Sequence, residues 1–590
     1  MILSPDSGQP GLSLQFVEGT LTLAGMLLAF GLPRICDRQF RVVERGFAAV
    51  ARRRGLSVLI VGLSAIVLRL AMLPLMPVPL PFIHDDFSML LAADTFLHGR
   101  LANPTPAMWV HFETVHETML PTYASMYFPG AGLVLAGGKL VFGDPWFGLL
   151  IATGLMCAAI CWMLQAWLPP EWALLGGFLC VLRLGLFSYW MDTYTGGGSI
   201  AALGGALILG ALPRFLRTER ARSLWLIAIG AVLVAFTRPY EGMLLCLPVA
   251  FVMARWVFAK SNPLPKTTLI GMAAGPLLLL IASLAWLGFY DYRAFGSVIT
   301  LPYTVDRATY AIAPYFVWER ARREPHYRHP HMKEFYESEL TGYDATRSLS
   351  GAVVEHFQLG AVWLNFYCGL ALLPLLVLMP RALFDRRIRF LSIALLILIF
   401  GMSIEIFGIP HYVAPFTGAL YAAGLQSARH LSHWRLNDLR IGRAIVRMCI
   451  LVCLVMAGIR PFNRFLGLPV ARWPSKETLT EWYGPDHFGV KRKSVEQKLE
   501  ELQGNQLALV RYSHHSPALI EWVYNGADID GQKVIWADDM EPSGNQELID
   551  HYKDRKVWLV QPDSDPVSVT PYPTGALNAA APLPRSPLHP

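Results

Sequence analysis

Runs of about 20 apolar residues recur along this chain, and nothing else in it constrains the fold as strongly. Such a run crosses the hydrocarbon core of a bilayer as a helix. The runs fall near 18–33, 56–78, 145–168, 171–190, 196–213, 223–238, 240–258, 268–290, 357–379, 389–408, 411–428 and 441–459. Charged residues make up 16% of the 590 positions, against about 25% in an ordinary soluble domain. The expected fold is mainly α, a polytopic membrane helix bundle of about 12 spans with exterior loops and a small C-terminal α/β domain. The net charge of +7 calls for no nucleic acid, because Lys and Arg collect in the loops between spans. The eight cysteines show no CxxC or zinc spacing, which argues against a disulfide framework or a metal knuckle.

Orientation follows from where the basic residues gather. The segments 33–55, 213–223, 380–390 and 428–443 are rich in Arg and are expected in the cytoplasm. The apolar stretch 130–143 decides the topology. At 14 residues it covers about 21 Å as a helix, too short for a core of about 30 Å. As a helix that dips into the outer leaflet without crossing, it leaves every basic loop inside. Both termini then lie outside, as do the segments 79–144, 291–356 and 460–590. None of the three contains Cys, and the chain has no Asn-x-Ser/Thr sequon, which fits a multi-pass protein of a bacterial inner membrane with a periplasmic exterior.

The domain reading is as follows. Residues 1–55 are an extra N-terminal helix and a basic loop, and 56–459 form the bundle. Residues 460–565 form a small α/β domain, and 566–590, rich in Pro and Ala, form a disordered tail. Within the small domain QLALVRYS, KVIWADD and KVWLVQP read as strands, while PALIEWVYN and NQELIDHYK have helical spacing. SHHS (513–516) reads as a loop.

Chemistry-bearing residues cluster in the exterior segments. PFIHDDFSMLLAADTFLHGR (81–100) places Asp85 and Asp86 just past an apolar run. Two readings fit: a helix cap, or a general base that takes the proton of an attacking hydroxyl. Arg238, beside a proline at the end of the sixth apolar run, is either a snorkelling side chain or a phosphate ligand. The aromatic segment 291–356 suits either a surface that clasps a sugar or lipid head group or a packed lid. HFETVHE (111–117) offers His111, Glu113, His116 and Glu117, all metal-ligand types, but without the H-E-x-x-H spacing; contact with sugar or acceptor fits it better.

Four features together resemble the GT-C superfamily of membrane glycosyltransferases, in the branch of the aminoarabinose transferases, protein O-mannosyltransferases and rhizobial lipopolysaccharide transferases. They are the acidic doublet after an early helix; YFPGAGLVLAGGKLVFGDPWFG (127–148); Thr237-Arg238-Pro239 between two middle helices; and His411-Tyr412-Val413-Ala414-Pro415 opening a late helix. The likeness runs through about residue 430. It implies transfer of a sugar from a polyprenyl-phosphate donor to an acceptor hydroxyl, with inversion at the anomeric carbon. Asp85 would be the base, and Asp86 would assist it or bind metal. Arg238 and Lys139 would hold the donor phosphate. His84, Glu113, Tyr123, Tyr127, Tyr303, His411 and Tyr412 would contact substrate. Relatives commonly carry Lys before the proline of the short helix, where this chain has Tyr127-Phe128, so Arg100 or Arg293 are alternatives to Lys139. No metal is obligatory, since phosphate leaves readily, though a divalent Mg or Mn is compatible. The acceptor, a glycan, lipid or protein hydroxyl, stays open. Two alternatives remain: a transporter or flippase of a lipid-linked glycan, and a catalytically silent scaffold.

Overall fold

The computed structural model describes residues 13–195, 197–259, 264–470, 482, 489–513 and 516–572. His514 and His515 of the SHHS loop, and the tail from 573 onward, lie outside the described residues. The chain opens with α1 (Leu14–Gly31), α2 (Asp37–Arg52) and α3 (Arg54–Ala71). The first long connection holds α4 (His84–Leu97) and α5 (Pro129–Phe142). There follow α6 (Trp146–Trp167), α7 (Pro170–Cys180), a single turn α8 (Tyr189–Asp192), α9 (Gly198–Thr218), α10 (Ala221–Ala235), α11 (Pro239–Val257) and α12 (Lys266–Phe295). The second long connection folds as α13 (Pro302–Thr309) and α14 (Pro330–Thr346). The bundle closes with α15 (Leu349–Leu372), the short α16 (Met379–Leu383), α17 (Arg389–Ser403), α18 (Thr417–Ser432) and α19 (Ile441–Ile459).

Among the described residues, eight helices are long and apolar enough to cross a membrane: α1, α3, α6, α9, α11, α12, α15 and α19. This is a multi-pass membrane protein. The other four apolar runs fold as shorter helices of 11 to 16 residues, α7, α10, α17 and α18. Local chemistry stops them. α7 gives way to a π-turn at Val181–Gly185 that buries Arg183, and α10 ends at Ala235, with three residues between it and Pro239. Small residues let the helices approach closely: a Cβ on Gly204 of α9 would lie 2.8 Å from the Gly230 carbonyl of α10. Some charges inside the bundle are paired. Glu18 of α1 meets Arg460 at 3.1 Å, and Arg69 of α3 meets Asp192 at 3.3 Å.

α5 does not run the length of the bundle. Near its start the Gly130 amide donates to Phe236 O at 2.8 Å, at the turn between α10 and α11. Toward its end, Gly138 packs against Gly148 and the Pro145 carbonyl at the start of α6. Both ends therefore abut the same end of the bundle, and Gly143 closes the helix with φ +84°.

The C-terminal domain is a four-stranded sheet of order β4-β3-β5-β6, after the small hairpin β1 (Glu117–Thr118) and β2 (Ala124–Ser125). β3 (Gln506–Val510) pairs in parallel with β4 (Val534–Asp538) and β5 (Lys556–Gln561); β6 (Ser568–Pro571) adds antiparallel to β5. α20 (Val490–Glu501) and α21 (Pro542–His551) accompany the sheet. Two expectations are corrected here. β6 lies inside the stretch 566–590 that was expected to be disordered, because its amides and carbonyls complete the free edge of β5. PALIEWVYN forms a turn followed by irregular chain where a helix was expected. Ile520 bridges Ile83, and the Glu521 amide donates to Phe82 O at 3.0 Å, so pairing across the chain overrides the local helical spacing.

The same contacts show that the three long segments gather at one end of the bundle. Tyr310 donates to Glu113 at 3.0 Å, and the Ala527 amide donates to Asp94 at 2.8 Å. Together these contacts tie the second and third segments to the first.

Candidate active site

The acidic doublet splits at the start of α4. Ile83 is the N-cap and lends no side-chain oxygen, so the helix is capped from within. Asp86, fully buried, turns back. One oxygen accepts from the Phe82 amide at 3.3 Å and the other from the Tyr194 amide at 2.7 Å. This is the returning half of a capping box. Burial lifts its carboxyl to about 7, against the backbone hydrogen bonds that favour its charge. Both Asp86 oxygens thus accept backbone hydrogen bonds, which gives this residue a capping role at the start of α4.

Asp85 points the other way. Its Oδ1 lies 2.6 Å from His116 Nδ1 and also accepts from Tyr127 Oη. The hairpin explains why these two arrive together. β1 pairs Glu117 with Ser125, so His116 and Tyr127 leave its two feet side by side, Tyr127 Oη 3.0 Å from His116 Nδ1. Ser88, one turn along α4 from Asp85, donates to the His116 carbonyl at 2.7 Å and locks the hairpin to the helix. His116 adopts a left-handed φ of +67° to make this turn. Burial pushes the Asp85 carboxyl up, but the His116 charge and hydrogen bond outweigh it and hold the group below the usual carboxylate range. His116 is raised by the same pairing, against its own burial. His84 stacks on His116 with ring centroids 4.5 Å apart, and both its ring nitrogens are buried without a partner. Burial takes His84 down to about 3, so it is neutral. Among the described residues both Asp85 hydrogen bonds fall on Oδ1, which leaves Oδ2 for an incoming hydroxyl.

The cation comes from the neighbouring turn. The Gly130 contact with Phe236 and Thr237 seats the start of α5 against the α10–α11 turn, next to Arg238. The Arg238 guanidinium lies 4.2 Å above the Tyr412 ring and meets Glu241 at 3.9 Å, too long for a hydrogen bond. Its charge acts on the phenols of Tyr303, Tyr412 and Tyr127. Tyr303 sets its ring against Tyr127 at 5.6 Å, which closes the line from Arg238 to Asp85. His411 stacks on Tyr412 at 5.1 Å and is held by Tyr189 Oη, 2.8 Å from its Nδ1.

Asp85, His84, Tyr127, Tyr303, His411, Tyr412 and Arg238 thus converge. Five other residues named from the sequence do not. Lys139 is exposed in the last turn of α5, about 15 Å along the helix from Pro129. Arg100 and Arg293 are exposed as well. Tyr123 is buried against the C-terminal domain and donates to Asn525 O at 2.7 Å. Glu113 is tied to Arg328 at 3.1 Å and to Tyr310; burial raises its carboxyl while Arg328 opposes the rise. Both bind the covering segments together. His116 emerges as Asp85's main partner. HFETVHE marked it as chemically able, but the hairpin that aims it has strands of two residues, too short to show a period.

His84, Asp85 and His116 hold donor atoms within 4.8 Å of one another. With the two unpartnered nitrogens of His84, this set fits a divalent ion. Two imidazoles suit a borderline transition ion better than Mg²⁺.

Fold and site together define a multi-pass membrane protein with an acid–imidazole–phenol pocket and an adjoining guanidinium at one end of its bundle. No family model and no curated protein matches the chain. Among solved structures it is similar to ArnT from Cupriavidus metallidurans in the apo state, with 12% identity over 89% of this chain and 93% of that one, TM-score 0.46. ArnT bound to undecaprenyl phosphate matches at 11% identity over 85% and 92%, TM-score 0.46. The Archaeoglobus fulgidus oligosaccharyltransferase in complex with Zn and sulfate matches at 11% identity over 86% and 67%, TM-score 0.45. At such low identity the chemistry must be read from the side chains themselves.

Proposed function

We propose that the chain is a membrane glycosyltransferase of the GT-C type that moves a sugar from a polyprenyl-phosphate donor to an acceptor hydroxyl at the periplasmic face. The observation that carries this is the paired Asp85 carboxylate, anchored through Oδ1, with the Arg238 guanidinium reaching the same phenols. The acceptor hydroxyl gives its proton to Asp85 Oδ2 as its oxygen bonds to the anomeric carbon. The bond from that carbon to the phosphate oxygen breaks, and Arg238 holds the departing charge. A single displacement inverts the anomeric centre. His116 and Tyr127 fix the carboxylate's direction, and the Tyr303 and Tyr412 rings form apolar walls suited to a sugar. A divalent ion held by His84, Asp85 and His116 would supply further positive charge beside the phosphate. Polyprenyl lipid reaches the pocket from the bilayer around the bundle.

The test is transfer of labelled sugar from a polyprenyl-phosphate donor by the full chain in proteoliposomes. Asp85→Asn should lower turnover by about 10²–10⁴ while donor binding persists. Turnover that survives Asp85→Asn would sink the reading. Movement of the lipid-linked sugar across the bilayer without transfer would indicate a flippase.

A further inference from the structure

The reaction above makes no use of α2. The chain enters this helix from α1 and leaves it into α3, both long and apolar enough to cross a membrane. Residues 32–36 join it to α1, and Arg53 alone joins it to α3. Links this short hold α2 at the boundary where the two spans leave the bilayer. At the other end of α3, Arg69 donates to Met76 O at 2.7 Å and to Pro77 O at 3.2 Å, on the way to α4 and Asp85. The 18 residues of α3 cover about 27 Å, so α2 and the Asp85 pocket lie on opposite sides of the membrane.

The sequence DRQFRVVERGFAAVAR (37–52) gives α2 three faces. The first packs on the protein. Ala51 is fully buried, Phe47 meets Phe178 of α7 with ring centroids 6.1 Å apart, and the Arg447 guanidinium of α19 lies 4.9 Å above the Phe40 ring. Arg447 also engages both acids of the helix. Its Nη1 donates to Asp37 Oδ1 at 2.7 Å, and its Nε donates to Glu44 Oε1 at 2.8 Å. The second face is apolar and bare, with Val42 56% and Val43 67% exposed. On the third, Arg38, Arg41, Arg45 and Arg52 share a sector about 60° wide, at about 100° per residue. All four are exposed. Arg41 pairs with Asp37 at 2.7 Å, while neither Arg38 nor Arg45 has a carboxylate partner among the described residues.

Arg38, Arg41, Glu44, Arg45 and Ala48 line an open cleft of about 520 Å³. Three guanidiniums border it, against one carboxylate that Arg447 already holds, so the cleft is cationic. A guanidinium fork matches two phosphate oxygens at once. What selects a lipid over a soluble phosphate is the neighbouring face. On the helical wheel Val42 stands directly beside the arginine stripe, and Val43 lies beyond it. Apolar side chains that enter the acyl region set the arginines next to them at the level of the head groups. We propose that α2 is an interfacial helix whose Arg38–Arg41–Arg45 cleft binds the phosphate of an anionic phospholipid, in the leaflet opposite the Asp85 pocket. The bound lipid fastens α2 to the bilayer surface and, through Arg447, fastens α19 with it.

The experiment uses the full chain, purified and delipidated in detergent, with phosphatidylglycerol or phosphatidylcholine added back. Bound lipid is counted by native mass spectrometry, and the melting temperature is read alongside. Phosphatidylglycerol should bind at least about 10-fold more tightly than phosphatidylcholine and raise the melting temperature more. The preference should fade in about 1 M salt, where the Debye length falls to about 3 Å. Arg38→Gln with Arg45→Gln should abolish it and leave the lipid-free melting temperature in place, since both side chains are exposed. Arg435→Gln, at an exposed arginine between α18 and α19, should keep it. Equal binding of the two lipids, a preference that survives the double substitution, or an equal loss in Arg435→Gln would overturn the proposal. So would glycerol phosphate that binds as tightly as phosphatidylglycerol, which would make the cleft a site for a soluble phosphoester.

Discussion

His116 Nδ1 lies 2.6 Å from Asp85 Oδ1, and the histidine takes a φ of +67° to reach it. The pair couples the hairpin of the first covering segment to the start of α4. It compensates the burial of the Asp85 carboxylate, whose charged form the proposed base role requires.

His116→Asn separates backbone from imidazole. Asn tolerates the left-handed region, so the hairpin should form. Asp85 then loses its principal partner and its fixed direction. Turnover should fall by at least about 10-fold with donor affinity unchanged, read as kcat against donor Kd. An unaltered kcat would remove His116 from the site.

Asp86→Asn addresses the other half of the doublet. Asn keeps one carbonyl oxygen but turns an amide N–H toward a backbone N–H that Asp86 now satisfies. A cost of about 1–3 kcal/mol follows, visible as a lower melting temperature. Transfer per folded molecule should stay far closer to wild type than in Asp85→Asn. A loss of transfer as deep as that of Asp85→Asn in a stably folded protein would contradict the capping role.

Arg238→Lys keeps the charge but gives up the flat stacking on Tyr412 and the two-pronged geometry for phosphate. Donor binding should weaken by about 10-fold, equivalent to about 1.4 kcal/mol. Equal donor affinity in the lysine variant would argue for a mere point charge.

Two glycines of α5 make a matched pair. A Cβ at Gly130 would come within 2.6 Å of Phe236 O and 2.8 Å of Thr237 Cγ2, whereas Gly137 has nothing within 4 Å. Gly130→Ala should cost about 1–3 kcal/mol and depress transfer by pushing α5 away from Arg238. Gly137→Ala should raise the melting temperature slightly, by up to about 1 kcal/mol of helix propensity. The same thermal shift in both would show that α5 is not seated on that turn.

Tyr123→Phe leaves the Asn525 carbonyl without its donor, a loss of about 1–2 kcal/mol. Faster hydrogen exchange over residues 489–572, with donor KM unchanged, is the expected result. A raised donor KM without loosening of the C-terminal domain would restore Tyr123 to the substrate pocket.

Much of the architecture was readable from local chemistry. Apolar runs longer than a soluble helix needs forced helices into a bilayer, and the short run at 130–143 could not cross. An Arg next to Pro239, and acids just past a span, stood out because such groups are costly there. What local pattern could not reveal was which acid does which work. Asp85 and Asp86 are adjacent, yet one helix step turns the first toward the pocket and the second back onto its own N-terminus. Asp85 finds its partners 31 and 42 residues away, and Tyr123 finds its own 402 residues away. No periodicity of 2 or 3.6 encodes pairings of that range; they exist only once the bundle and its covering segments have packed.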